Sequence, residues 1–217
     1  MEATETYREQ VLEYLKSEVA KHESSERYEH TLSVLEEVGT LAKLFGLSKE
    51  DRFKLKKAAI LHDITKDFSS EKQLELCAKY GIKTDKKPGD MMPIIHQDTG
   101  AAFALDLFGE GIVEKEVYSA ISCHTTGKVG MTLMDKLLFV ADYLEPTRRY
   151  ETCKTARHNF YKKCIENKDN RDMLLKALDE AIEECIENTV TVLLQRRYEI
   201  DDRVIPLWNS LINSGGH

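Results

Sequence analysis

Six residues could form a metal site, because each is a common metal-ligand type set among apolar neighbours. They are His30, His62, Asp63, His96, His124 and Asp142. A polar or charged group beside a hydrophobic core is costly when it is unpaired, and coordination of a cation would remove that cost. Imidazole and carboxylate ligands together suit iron, manganese or zinc, and the residue types do not choose among these metals. The chemistry that the six residues predict is therefore metal binding.

Each of these residues also has an interpretation without a metal. A single histidine on an apolar helix face is more often a hydrogen-bonded core residue than a ligand, and Asp142 could cap a helix or pair with a nearby Arg or Lys. The set as a whole favours coordination, because the core interpretation needs several independent coincidences on separate elements. Spacing alone does not establish that the six side chains converge.

The elements that must position these residues are predicted to be helices. Apolar residues recur at helical spacing, and no stretch alternates apolar and polar residues over the length of a strand. Helices are expected at about 6–21, 26–45, 49–64, 70–80, 93–108, 113–124 and 132–144, with charged amphipathic sequence at 151–199. The predicted fold class is all-α, with the His62-Asp63 pair at the buried end of the third helix.

The 217 residues suffice for one domain with a substantial core. The candidate ligands fall within about 24–150, and the C-terminal helical part, about 151–212, follows without a linker, repeat or low-complexity tract. We expect a single domain, 1–217, in which this amphipathic extension packs on the helical bundle. Its 171–199 helix could also support a homodimer, although such an apolar stripe is more often core.

Composition limits the partners and the compartment. The net charge of -7 argues against nucleic acid and anionic lipid, which attract proteins with clustered basic surfaces. Five cysteines without a C-x-x-C pair indicate reduced thiols rather than a disulfide framework. No apolar run approaches the roughly 18 residues of a membrane span, and the first residues do not resemble a signal peptide. We expect a cytoplasmic protein that is not membrane-bound.

Because the protein is acidic, an anionic substrate would have to be bound by local positive groups. Lys66 follows the His-Asp pair by one turn if that helix continues, and it is the first choice for a phosphate contact. Arg148 could bring a bidentate guanidinium to phosphate, with Arg149 as its competitor, and Arg27 shares a helical face with the first candidate ligand. Each arginine could instead form a surface ion pair, and Lys66 could be an ordinary lysine at a helix C-terminus.

Two further segments could border the site. Thr125 and Thr126 could hydrogen-bond phosphate or merely end their helix before Gly127. The polar stretch 82–90 is predicted to be a surface loop and could serve as a lid.

The sequence around the candidate ligands resembles a known family. The resemblance is carried by RYEHTLSV, AAILHDITKDF, HQDTGAAFA, AISCHTTG and MDKLLFVADYLEPTRRYE. Their H…HD…D order is similar to that of the HD-superfamily phosphohydrolases, and together they resemble the YqeK-type HD hydrolases, which are bacterial symmetrical diadenosine tetraphosphate hydrolases. The match runs from about residue 5 to residue 212. Gln97 and Asp98 depart from the smaller or less acidic residues expected there, which could alter hydrogen bonding near His96 or substrate access.

The resemblance implies a helical HD-domain bundle with two metals, which would be iron, or else manganese or zinc. One metal would be held by His30, His62, Asp63 and Asp142, and the second by His96 and His124, with Asp63 as the bridge. Two metals about 3.5–4 Å apart can activate a bridging water and clamp phosphoryl oxygens for in-line attack. The implied substrate is a dinucleoside polyphosphate, cleaved symmetrically by hydroxide to two ADP, with Asp63 and Lys66 as catalytic residues.

Two alternative functions use the same residues. An HD nucleotidase or deoxynucleoside triphosphate phosphohydrolase would act on mononucleotides with the four-ligand set. A nucleotide sensor could bind without catalysis, although an intact ligand set argues against it. A cyclic-dinucleotide phosphodiesterase is disfavoured because no GYP block follows His62-Asp63.

Overall fold

A computed structural model describes residues 4–89 and 93–214 of the chain. These residues contain ten α-helices and no strand, so the predicted all-α class is confirmed. The helices are α1 (Glu5–Val19), α2 (Ser25–Leu44), α3 (Lys49–Leu61), α4 (Ser70–Tyr80), α5 (Ile95–Phe108), α6 (Lys115–Ile121), α7 (Leu133–Leu144), α8 (Glu151–Glu166), α9 (Arg171–Arg196) and α10 (Val204–Ser214).

Short polar side chains fix where most of these helices begin. At six helices the residue before the first turn accepts a hydrogen bond from a backbone N–H three residues later, and these residues are Thr4, Ser24, Ser48, Ser69, Thr132 and Asn170. Such caps satisfy one of the backbone donors that a helix start leaves unpaired. In α4 the cap is Ser69, and Ser70 is the first residue of the helix.

Two helices that lead into candidate ligands end about three residues earlier than the sequence predicts. The third helix stops at Leu61 rather than near residue 64, and the sixth stops at Ile121 rather than at His124. Lys66 therefore does not lie one turn along a continuing helix, because residues 62–67 form a turn. Both early ends place a histidine in the turn that follows an apolar helix.

The core lies between α2, α3, α6 and α7, which pack against one another. The last turn of α3 is fully buried, as are Leu137, Leu138, Val140 and Ala141 of α7. Burial of one such large aliphatic side chain contributes about 1.5–3 kcal/mol, so these two helices are firmly anchored. The His62-Asp63 turn and Asp142 are consequently held at the centre of the bundle.

The C-terminal part packs on this bundle, as predicted. Helices α8 and α9 lie against each other and against α7, and α10 lies against α9. The apolar stripe of α9 is buried from Leu174 to Ile186, and no later residue of α9 is buried. All five cysteines are buried with free thiols, and among the described residues no helix is long and apolar enough to cross a membrane. The single-domain assignment stays a prediction.

Candidate metal centre

Six side chains from five separate segments meet at one point in the bundle. The segments are α2 with His30, the turn after α3 with His62 and Asp63, the first turn of α5 with His96, the turn after α6 with His124, and α7 with Asp142. They form three overlapping groups of three, and in each group the possible ligand atoms lie within 4.8 Å of one another. The structure thus brings together every residue that the sequence selected as a metal ligand.

Asp63 lies in the middle of this cluster and is 3% exposed. Its Oδ1 is 3.1 Å from Nε2 of His96 and 3.4 Å from Nε2 of His124. Its Oδ2 is 3.9 Å from Nε2 of His30 and 3.6 Å from Nε2 of His62. One carboxylate oxygen therefore faces each pair of histidines, which is the arrangement that a bridging ligand requires.

Asp142 completes the side of the cluster that contains His30. Its Oδ1 is 3.0 Å from Nε2 of His30, and the carboxylate also groups with His62 and His124. Burial acts to raise the pKa of Asp142, but the Arg148 guanidinium and His30 hold that pKa well below its usual range. Burial likewise opposes ionisation of Asp63, yet the neighbouring imidazoles, His62 foremost, keep its pKa low. Both carboxylates are anionic.

The histidines fit the chemistry of metal ligands. Nδ1 of His62 lies 2.7 Å from the carbonyl oxygen of Ala59, and Nδ1 of His124 lies 2.7 Å from that of Ile121. Because a carbonyl oxygen only accepts, each Nδ1 carries the proton and each Nε2 keeps its lone pair towards Asp63. The Nε2 atom of His62 is buried and makes no hydrogen bond within the described chain. A buried lone pair beside two carboxylates is a suitable site for a divalent cation.

Burial also keeps two of the histidines neutral, as ligation requires. It lowers the pKa of His62 to about 4 and, with the charge of Lys66, that of His96 to about 3. His30 behaves differently, since burial is outweighed by the carboxylates of Asp142 and Glu145, which raise its pKa to about 9. A positive charge is therefore favoured at the position that His30 and Asp142 face.

Glu145 contacts the cluster, and the sequence reasoning missed it. Its Oε1 accepts a hydrogen bond from Nδ1 of His30 at 3.0 Å, and the residue is fully buried. The backbone N–H and the hydroxyl of Thr147 also donate to the carboxylate, at 2.6 and 2.7 Å. Burial acts to raise the pKa of Glu145, but these hydrogen bonds lower it to about 2. The available signal was a glutamate directly after the Asp142 helix and before Pro146.

The three basic residues expected near phosphate lie at the edge of the cluster. Nη1 of Arg27 is 2.8 Å from Oδ2 of Asp63, and Nη2 of Arg148 is 2.5 Å from Oδ1 of Asp142. Nζ of Lys66 is 3.1 Å from Nδ1 of His96, despite the early end of α3. Arg149 is exposed and is not brought to the cluster.

The turn after α6 is held by Gln97, one of the two residues that departed from the family pattern. Its side-chain oxygen accepts from the backbone N–H groups of Thr125 and Thr126, at 3.1 and 3.2 Å. Its side-chain nitrogen donates to the Thr126 hydroxyl at 3.0 Å, so that hydroxyl is occupied within the turn. The Thr125 hydroxyl lies 3.2 Å from Nε2 of His96 and faces the cluster.

Other polar contacts tie the surroundings of the cluster together. Nη1 of Arg203, just before α10, lies 3.0 Å from each oxygen of Asp98, the second departure from the family pattern. In the predicted lid, the backbone N–H of Gly89 donates to Ser70, and residue 90 lies outside the described residues. His22 packs edge-on against Phe68 and Phe103.

Comparison with known proteins gives one family and several relatives. The HD domain family matches residues 27–147, a range that contains all six candidate ligands. A symmetrical bis(5'-nucleosyl)-tetraphosphatase of Staphylococcus aureus is 31% identical over 84% of this chain and 85% of its own length. Proteins of the same name from Halalkalibacterium halodurans and Bacillus subtilis are 29% and 28% identical, over 89% and 95% of this chain and 93% and 98% of their own lengths.

A solved structure supports the fold. It is the crystal structure of a predicted HD superfamily hydrolase involved in NAD metabolism, from Clostridium acetobutylicum. The TM-score is 0.74 at 24% identity, and the match covers 93% of this chain and 97% of that one. At 24% identity, this similarity supports the helical fold alone.

Proposed function

Since the chain belongs to the HD domain family, we propose that it is a metal-dependent hydrolase that cleaves diadenosine tetraphosphate symmetrically into two molecules of ADP. The observation that carries this proposal is the convergence of four histidines on the two oxygens of Asp63, with Asp142 beside His30. The choice of substrate rests on the relatives named symmetrical bis(5'-nucleosyl)-tetraphosphatase, which this chain matches over most of its length.

Two metals would be held by unequal sets of ligands. The first set, here called half one, is His30, His62, Asp63 and Asp142. The second set, half two, is Asp63, His96 and His124. Such cations, when bound, act as Lewis acids that polarise phosphoryl oxygens and lower the pKa of water. Iron is the metal implied by the family resemblance, and the ligand types also suit manganese and zinc.

The positive side chains would bind the phosphate chain. A tetraphosphate carries several negative charges, whereas the protein has a net charge of -7, so attraction must be local. Arg148 is fixed against Asp142 through one nitrogen of its guanidinium head and through Nε, which donates to the Asp142 carbonyl. Its remaining N–H groups can donate to phosphate, and Arg27 can act similarly beside Asp63.

Lys66 would meet the charge that develops during cleavage. Its Nζ lies between the carbonyl oxygen of Pro93, at 2.9 Å, and the ring of His96, at 3.1 Å. Attack at the phosphorus next to the central bridging oxygen leaves negative charge on the departing ADP. An ammonium group that is already in position beside the departing ADP stabilises this charge in the transition state. Thr125, whose hydroxyl faces the same half, would orient a phosphoryl oxygen.

The pattern of burial suggests how the substrate approaches. His62, His96 and His124 are at most 2% exposed, whereas the side chains of Arg27 and Arg148 retain 27% and 31% exposure. The substrate would therefore enter over the two arginines, with its phosphates towards Asp63. The buried histidine side of the centre would keep bulk water away from the reacting phosphorus.

Product analysis tests this function. Chelator-stripped protein is loaded separately with iron, manganese or zinc and incubated with diadenosine tetraphosphate, GTP or deoxynucleoside monophosphates, with the stripped protein as control. We expect ADP as the single product of the tetraphosphate. ATP with AMP would contradict symmetrical cleavage, faster release of phosphate from mononucleotides would support a nucleotidase, and binding without any product would support a sensor. The cytoplasmic location and the homodimer stay predictions.

A further inference from the structure

The two halves of the centre differ in what supports their histidines. Behind His30, in half one, lies the carboxylate of Glu145 at 3.0 Å. Behind His124, in half two, lies only the neutral carbonyl oxygen of Ile121 at 2.7 Å. A carboxylate that accepts a histidine N–H fixes the ring and makes its other nitrogen a stronger ligand.

The charges around the two halves also favour tighter metal binding in half one. Half one contains Asp142 in addition to the shared Asp63, and Glu145 stands behind it. The two arginines that border half one offset the charge of one carboxylate each, so the three carboxylates leave this half with net negative charge. Half two has no carboxylate of its own, and the ammonium group of Lys66 lies beside its His96. A divalent cation is therefore attracted more strongly to half one.

Glu145 is held rigidly by the C-terminal extension. Arg157 of α8 donates from Nη2 to the backbone carbonyl of Glu145 at 2.5 Å and from Nε to that of Leu144. Thr147 fixes the carboxylate itself. Arg157 thus holds the backbone of Glu145 and Thr147 holds its carboxylate. Helix α8 supports the metal centre through this contact with Glu145.

We propose that Glu145 is a positioning residue that holds Nε2 of His30 towards Asp142 and makes half one the first to bind metal and the last to lose it. This inference rests on the proposed two-metal centre. Glu145 does not contact the reacting atoms, because it reaches only the far nitrogen of the His30 ring. The role belongs to metal loading rather than to the chemical step.

Graded chelation measures this role without any activity assay. Wild-type protein loaded with cobalt or zinc is equilibrated with increasing chelator, and the retained metal is counted by mass spectrometry of the elements. We expect two steps of one equivalent each. His96→Ala should remove the weaker step, which assigns that step to half two.

Glu145→Gln is the decisive variant, because glutamine keeps the size of the side chain and an oxygen acceptor but loses the charge. The tighter step should weaken about 10–100-fold, the range found when such supporting groups are changed. The weaker step should change much less. In cobalt-loaded protein the absorption spectrum of the tighter site should change as well.

Glu37→Gln is the matched control. Glu37 is a buried glutamate of α2 that accepts a hydrogen bond from Tyr161 and touches no candidate ligand, so both steps should remain. Two wild-type steps that Glu145→Gln leaves unchanged, or a loss confined to the weaker step, would overturn the inference while the proposed function stands. Wild-type protein that retains one equivalent or none would overturn the two-metal centre and this ordering together.

Discussion

The turns that follow α3 and α6 present a histidine in the same way but supply different neighbours. In each turn Nδ1 of the histidine donates to a backbone carbonyl three residues earlier, at Ala59 or Ile121, which aims Nε2 at the centre. The first turn continues with Asp63, whereas the second continues with Thr125 and Thr126. A helix end can therefore aim a neutral ligand by local hydrogen bonding alone, but only the first turn adds the anion around which the other ligands gather.

The strongest test of this difference removes the anion and keeps its shape. Asp63→Asn should lose both metals, because the amide cannot bridge them as a carboxylate does, and hydrolysis should fall by at least about a thousandfold. Metal content and the rate of ADP formation measure both effects. Asp67→Asn, in the same turn, is the matched control for metal content, since Asp67 pairs with Ser24 and Arg27 rather than with a candidate metal ligand. Full metal content in Asp63→Asn would contradict the central place of this carboxylate.

The first turn should also make the metal-free protein sensitive to acid. The pKa of His62 is about 4 in the folded state and about 6.5 in the unfolded chain, because burial disfavours its charged form. Between these values the unfolded chain binds a proton at His62 that the folded protein does not, so the contribution of His62 to the free energy of unfolding falls as pH drops from 6.5 to 4. The expected loss from His62 is on the order of 3 kcal/mol.

Urea unfolding in chelator at pH 6.5, 5.5 and 4.5 measures this loss. His96, whose pKa burial also lowers, acts in the same direction, so His62→Gln should reduce the pH dependence without abolishing it. His158→Gln, which changes an exposed histidine, is the matched control variant. An identical pH dependence in wild type and His62→Gln would rule out this account of the acid effect.

The smallest expected effect concerns the second turn. Gln97→Leu removes the acceptor that holds the backbone of Thr125 and Thr126, while keeping a side chain of similar size. We expect both metals to remain, because His124 is aimed by its own bond to Ile121. The KM for diadenosine tetraphosphate should rise about tenfold, the cost of one or two lost hydrogen bonds. Loss of a metal equivalent instead would show that Gln97 supports the ligands themselves.

The same two turns show what could be read from the sequence. The ligand types were visible because histidine and aspartate are conspicuous at the ends of apolar helices, and polar caps such as Ser48 and Thr132 mark where helices begin. The early helix ends at Leu61 and Ile121 could not be predicted, because the residues of both turns are also compatible with a helix. Their cause is three-dimensional, since the ends are fixed by contacts made within the assembled cluster.

The supporting residues were missed for a related reason. Glu145 is followed by a proline at the end of a helix, where a glutamate is ordinarily exposed, and its burial results from contacts with α2 and α8. Gln97 was noticed only as a departure, although its amide suits the pair of backbone N–H groups that the second turn leaves open. The roles of Glu145 and Gln97 both depend on contacts with residues that are distant in sequence.

The most direct test of the account is to locate the metals in crystals of protein purified without added metal. Anomalous scattering should show two peaks about 3.5–4 Å apart on either side of Asp63, one against His30, His62 and Asp142 and one against His96 and His124. His124→Ala should lose the second peak and keep the first. A single peak shared by all six residues, or metal bound away from Asp63, would contradict the two-metal centre.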